Sequence, residues 1–191
     1  MFLKLRDVDL YYEVAGSGDP LLLLHGFPLN SKMWKGQVKA LSRFYKVITP
    51  DLRGHGKSAA PDSPITMDMM ADDMLSLLNG LKIRKCAVAG LSMGGYAAFR
   101  MYEKAKERFS CLILSDTRAE PDSAEGREKR LSLINTIKKN GIKPFNDIFI
   151  KGLLSRDCLE NQQHIVDMVY SIMSEITPAG AINTLYGLME K

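Results

Sequence analysis

The chain has 191 residues, 46% apolar and 25% charged, with a net charge of +4. That is ordinary globular composition with room for one domain and a sizeable core, and it excludes an intrinsically disordered polar chain. The basic excess does not form a nucleic-acid stripe: Arg127-Glu128-Lys129-Arg130 mixes signs, Lys138-Lys139 stands alone and no aromatics interleave them, so solvated helix faces and no nucleic-acid partner are expected.

The opening run Met1-Phe2-Leu3-Lys4-Leu5-Arg6-Asp7 is interrupted by charge too early for a signal peptide. No apolar run reaches membrane-spanning length, so a cytoplasmic location without a membrane partner is expected. Residues 2–14 alternate weakly and predict an antiparallel hairpin before the Gly16–Pro20 turn. Leu21–Leu24 is too short for a helix and suits a strand covered on both faces, and Ser31 then caps a helix carrying Trp34, Val38 and Leu41 inward. A strand over Lys46–Thr49 ends at Pro50-Asp51. Thr66 or Asp68 starts a helix with Met70, Met74, Leu77, Leu78 and Leu81 on one side, and further strands follow over Cys86–Ala89 and Cys111–Leu114. Strands alternating with helices in this way predict a parallel, three-layer α/β sheet.

From Pro121 the pattern is helical only, over 123–139, 144–154, 157–176 and 178–190, broken at Asn140-Gly141, Ser155 and Pro178. The expected division is a core over 1–120 and a helical lid over 121–191. Cys86, Cys111 and Cys158 lack metal-ligand spacing, and the first two sit in strand-like apolar runs, so buried reduced thiols and no metal site are expected.

Three short motifs carry the chemistry. In Ala87-Val88-Ala89-Gly90-Leu91-Ser92-Met93-Gly94-Gly95 one serine follows a strand and opens a helix, the context in which G-x-S-x-G presents a nucleophile. Gly90, Gly94 and Gly95 leave space for the sharp turn, and the Met93 amide at the helix start can hold a developing oxyanion. A serine that merely caps its helix would not need glycines on both sides. Leu24-His25-Gly26-Phe27-Pro28, also at a strand end, offers the second oxyanion amide from Phe27, with Gly26 easing backbone approach and His25 in a structural role. Asp51-Leu52-Arg53-Gly54-His55-Gly56-Lys57-Ser58 imitates the end of a nucleotide-binding loop, yet the required first glycine falls on Asp51. A glycine-rich turn that braces the site floor and holds His55 is expected instead.

In order and spacing, the hairpin, "LLLLHGFPLNSKMW", "DLRGHGKS", "AVAGLSMGGYAAF" and "LILSDTRAE" resemble the α/β-hydrolase family. The chain is most similar to the cofactor-independent group of 3-oxoadipate enol-lactonases, aryl and carboxyl esterases and bacterial non-haem haloperoxidases. The resemblance covers residues 1–118, and the helices beyond look like that group's lid, inserted after its sixth strand. It implies a three-layer sandwich with a mostly parallel twisted sheet, no cofactor, and hydrolysis of a small ester or lactone through an acyl-serine on Ser92. A serine at this position sets the chain apart from the haloalkane dehalogenase and epoxide hydrolase branches, whose nucleophile is a carboxylate. Perhydrolysis through a peracid would share the Ser92 machinery.

The pattern then breaks. In the family the triad runs serine, acid, histidine along the chain. After Ser92 the sequence offers only His164, at the polar margin of the helical stripe Ile165, Met168, Val169, Ile172 and Ile176, where a surface or lid-edge role is expected. Asp116 is the one internal candidate acid, whereas the group it resembles places the acid after strand seven. The expectation is a fold without its last two strands, inactive or nearly so for want of the triad base and acid. Residues 111–114 would then form an open edge and promote self-association, by edge pairing or lid exchange. Leu153, Leu154, Met168, Val169, Ile172, Met173, Leu185 and Leu188 would give the lid an apolar inner face suited to small acyl groups. The alternative is a non-catalytic small-ligand-binding protein on the same scaffold.

Overall fold

The computed structural model describes residues 1–5 and 7–190. Its strands are β1 (Phe2–Lys4), β2 (Asp9–Ala15), β3 (Asp19–Leu24), β4 (Tyr45–Pro50), β5 (Cys86–Leu91) and β6 (Phe109–Ser115), joined in one sheet in the order β1-β2-β4-β3-β5-β6. The hairpin β1–β2 and the β2–β4 pair are antiparallel, while β4, β3, β5 and β6 run parallel. All four parallel strands therefore end on one side of the sheet.

The four-leucine run explains the layers. Alternation sends Leu22 and Leu24 into one cluster with Ile48 and Val88, under α2 (Met67–Gly80) and α3 (Met93–Ala105). Leu21 and Leu23 face the other way, against Val47, Ala89 and the inner side of α1 (Lys35–Leu41). Both faces are covered, as a parallel sheet requires, and each fully buried leucine contributes about 1.5–3 kcal/mol.

Helix α2 starts where Thr66 accepts a hydrogen bond from the Met69 amide and ends in a Schellman closure, with Lys82 N–H on Asn79 O and Ile83 N–H on Leu78 O. Beyond β6 come α4 (Ala124–Asn140), α5 (Ile142–Leu153), α6 (Arg156–Asn161), α7 (Gln163–Met173) and α8 (Pro178–Leu188). The main cluster of buried side chains runs without interruption from the sheet into Ile134, Ile137, Phe145, Ala181, Leu185 and Leu188 of these helices.

Several local expectations are corrected. Asn30, not Ser31, caps the first helical segment, and residues Ser31–Trp34 form a 3-10 turn before α1 because the Asn30 carboxamide takes the Lys32 amide. The stretch 157–176 is two helices: Gln162 is non-helical (φ −128°, ψ 57°), and the polar run Asn161-Gln162-Gln163 places no apolar side chain across the junction. Cys86 is buried, but Cys111 is exposed, since β6 has a neighbour on one side only, and Cys158 is half-buried. Among the described residues no helix is long and apolar enough to cross a membrane.

Candidate active site

Ser92 sits at the junction of β5 and α3 with φ 48° and ψ −110°, a conformation that L-residues avoid. Such strain costs on the order of 1–3 kcal/mol and persists only where neighbours enforce it. Here they do. The Ser92 amide donates to Ser115 O at the end of β6, and Thr117 Oγ1 donates to Ser92 O, both at 2.9 Å. A Cβ at Gly90 would lie 2.4 Å from Gly94 O, one at Gly94 2.3 Å from Leu24 O, and one at Gly95 2.5 Å from Thr117 Oγ1. Gly26 is different: its nearest contact would be Leu91 Cδ2 at 3.4 Å, so space does not demand glycine there.

The Ser92 hydroxyl occupies the position from which serine usually caps a helix, yet it makes no capping hydrogen bond. Half-buried, it stands at the amino end of α3, where the Met93 amide and the helix dipole favour negative charge. Across from it, Phe27 lies in the loop after β3. Among the described residues neither the Phe27 nor the Met93 amide meets a hydrogen-bond acceptor. The Phe27 ring is fixed by edge contacts with His55, Phe145 and Phe149 at centroid separations of 5.8, 5.9 and 5.5 Å. Phe145 and Phe149 are one helical turn apart on α5, a pairing that the sequence reading missed although the i, i+4 aromatics could have signalled it. Leu29 joins Ile150, Ile172 and Met173, so α5 and α7 pack directly on this loop.

The two histidines before Ser92 are committed elsewhere. His25 is fully buried: its Nε2 accepts the Leu52 amide at 2.9 Å, which leaves Nδ1–H to donate to Gly26 O at 3.0 Å. Burial pushes its pKa down to about 4. His55 is fully buried too, with Nδ1 on Arg53 O at 3.0 Å and Nε2 without a partner. Burial, then repulsion from His25 across a 5.1 Å ring contact, lowers its pKa to about 3. His164 is exposed in the first turn of α7. Asp116, exposed and with φ 42°, lies between the two residues that bond to the Ser92 backbone, so its turn supports the serine from the β6 side.

The floor is organised by Asp51, a role the sequence reading did not assign. Its buried carboxylate accepts the Ser31 and Lys57 amides, each at 2.8 Å. Gly56 has φ 52° and a Cβ there would be 2.2 Å from Asp51 Oδ2. The stretch that imitates a phosphate loop thus wraps an internal carboxylate. Arg53, buried beside it, pairs bidentately with buried Asp73 at 2.5 and 2.6 Å and reaches Asp7 at 3.1 Å. Of the side chains expected to line the lid, Met173, Leu185 and Leu188 are core, whereas Leu153 and Met168 are exposed. Among the described residues no group of three or more His, Cys, Asp or Glu is arranged to hold a metal.

Comparison with known proteins agrees with this geometry. Residues 19–134 match the family model described as alpha/beta hydrolase fold. The α/β-hydrolase superfamily protein YisY of Bacillus subtilis is 42% identical over 94 residues, 49% of this chain and 35% of that protein. The soluble epoxide hydrolase of a Corynebacterium species is 41% identical over 107 residues, 56% of this chain and 37% of that one. The matched segment thus spans about a third of the length of such curated relatives. Among solved structures, a thermophilic esterase from Thermogutta terrifontis superposes with a TM-score of 0.91 at 37% identity, covering 96% of this chain and 68% of that one.

Proposed function

The chain belongs to the α/β-hydrolase fold family, and on that premise we propose that it is built for acyl transfer from small carboxylic esters or lactones through Ser92. The supporting observation is a strained serine whose hydroxyl, in the capping position, makes no capping bond, with the Met93 amide at the same helix start and the Phe27 amide in the loop after β3 both without acceptors among the described residues. In this reading Ser92 Oγ attacks the ester carbonyl carbon, and the developing oxyanion takes hydrogen bonds from the Phe27 and Met93 amides. The alkoxide leaves with a proton, and water then cleaves the acyl-serine. Each proton transfer needs a base, and His25, His55 and His164 are poor candidates, the first two because they are fully buried and the third by its exposed helical position. The 191-residue chain alone is therefore proposed to turn over slowly, since losing a triad member costs several orders of magnitude. Two epoxide- and ester-cleaving relatives bracket the chemistry, and serine at position 92 favours the ester side.

Deacylation without a base should stall, so an activated ester should leave a stable adduct. After p-nitrophenyl acetate, mass spectrometry should find one acetyl group on Ser92 and none on Ser92→Ala. Steady turnover by Ser92→Ala equal to that of the parent would reject the proposal. We also propose self-association through β6, the last strand of the sheet order, where Ile113 and Leu114 are 49% and 42% exposed and no charge or proline protects the edge.

A further inference from the structure

At the other end of the sheet, where the parallel strands begin, the segment before β5 and the segment before β6 enclose a groove of about 960 Å³. Its lining carries four cations, Lys82, Arg84, Lys85 and Arg108, against one carboxylate, Glu107. None of the four makes an ion pair among the described residues. The carboxyl ends of α2 and α3 open nearby, and their dipoles together offset about one unit of charge. Roughly two positive charges stay uncompensated within one concavity.

One of these cations is held in place, and another stands on a strained backbone. Arg108 donates from Nε to Arg84 O at 2.8 Å and from Nη2 to Ile83 O at 2.7 Å, tying the two walls together. Lys82 has φ 56° at the Schellman position after α2, where glycine is the usual residue. A solvated lysine face would not need a side chain at a position where a side chain is strained.

We infer that this groove is a second ligand site, separate from Ser92, for a compact group bearing two adjacent phosphates. Cations on two walls match a charge larger than one phosphate, and Arg84, whose guanidinium makes no hydrogen bond among the described residues, supplies paired donors for phosphate oxygens. The six residues of β5 put the groove about 20 Å from Ser92, so the ligand would not be the acyl substrate.

The test is a titration of the isotope-labelled 191-residue chain with inorganic pyrophosphate, read by amide shifts and calorimetry. Saturable shifts confined to residues 82–86 and 106–109 are expected. The pair Arg84→Gln and Lys85→Gln should weaken binding about tenfold or more per cation removed. The charge-matched pair Lys129→Gln and Lys139→Gln, exposed on α4, should not. Lys82→Gly should raise the melting temperature while weakening pyrophosphate binding. Sedimentation with vesicles containing phosphatidylinositol bisphosphate, reversed by pyrophosphate, assigns the phosphates to a lipid headgroup; pyrophosphate binding without sedimentation assigns them to a soluble ligand. Shifts that sodium chloride of equal ionic strength reproduces, or equal weakening by both variant pairs, would overturn the inference.

Discussion

Lowering the pH from neutrality to about 5 should destabilise the chain by about 4 kcal/mol, because His25 and His55 are held neutral inside it. In the unfolded chain each titrates near 6.5, whereas burial places them at about 4 and about 3 in the fold. A base with a depressed folded pKa gives stability that is complete above 6.5 and is lost as pH falls toward the folded value, because the unfolded state binds the proton first. The loss is about 1.4 kcal/mol per pH unit for each histidine, hence roughly 2 kcal/mol each by about pH 5. Asp68, lowered by its hydrogen bond from Arg100, and Asp147, lowered by those from Tyr170 and Lys143, lose their contributions only below the ordinary carboxylate value of 3.8, in a separate window. Urea denaturation followed by circular dichroism at closely spaced pH values measures the slope, and His55→Gln should reduce it from two protons toward one. A stability flat between about pH 7 and 5, or His25 and His55 resonances titrating near 6.5 in the folded chain, would refute the reasoning.

Gly94→Ala should cost about 3 kcal/mol, because its methyl group would lie 2.3 Å from Leu24 O, whereas Gly152→Ala, whose methyl group meets nothing within 4 Å, should gain up to about 1 kcal/mol; thermal melts compare them. Ser92→Gly should abolish acetylation yet stabilise the fold by about 1 kcal/mol, since glycine adopts φ 48° without strain, and paired melting and labelling experiments read both effects. Ile113→Lys should convert self-associated chains to monomers in light scattering, by placing a charge on the β6 edge.

The layers were legible because Leu21–Leu24 alternates between two buried clusters, and the strand-to-helix turn was legible because three glycines surround one serine. What escaped was non-local. Asp51 reads as a residue ending a strand, and only the fold brings the Ser31 and Lys57 amides to its carboxylate from either side along the chain. Phe145 and Phe149 carry the i, i+4 spacing of one helix face, but nothing in that spacing says that Phe27 is their partner. Cys111 lies in an apolar run that suggests burial, but exposure on β6 depends on whether a neighbouring strand covers that edge. The break at Gln162 was missed because neither glycine nor proline marks it and the apolar stripe from Ile165 onward suggested one continuous helix.

The central proposal is that Ser92 acts as a nucleophile with the Phe27 and Met93 amides as its oxyanion donors and no base among the histidines of this chain. Fluorophosphonate labelling with and without added imidazole tests it most directly, since a small diffusible base can stand in for a missing one. The account predicts slow labelling that imidazole accelerates, on Ser92 alone by peptide mass spectrometry and absent from Ser92→Ala. Rapid labelling of Ser92 without imidazole, abolished by His25→Asn, His55→Asn or His164→Asn, would contradict it.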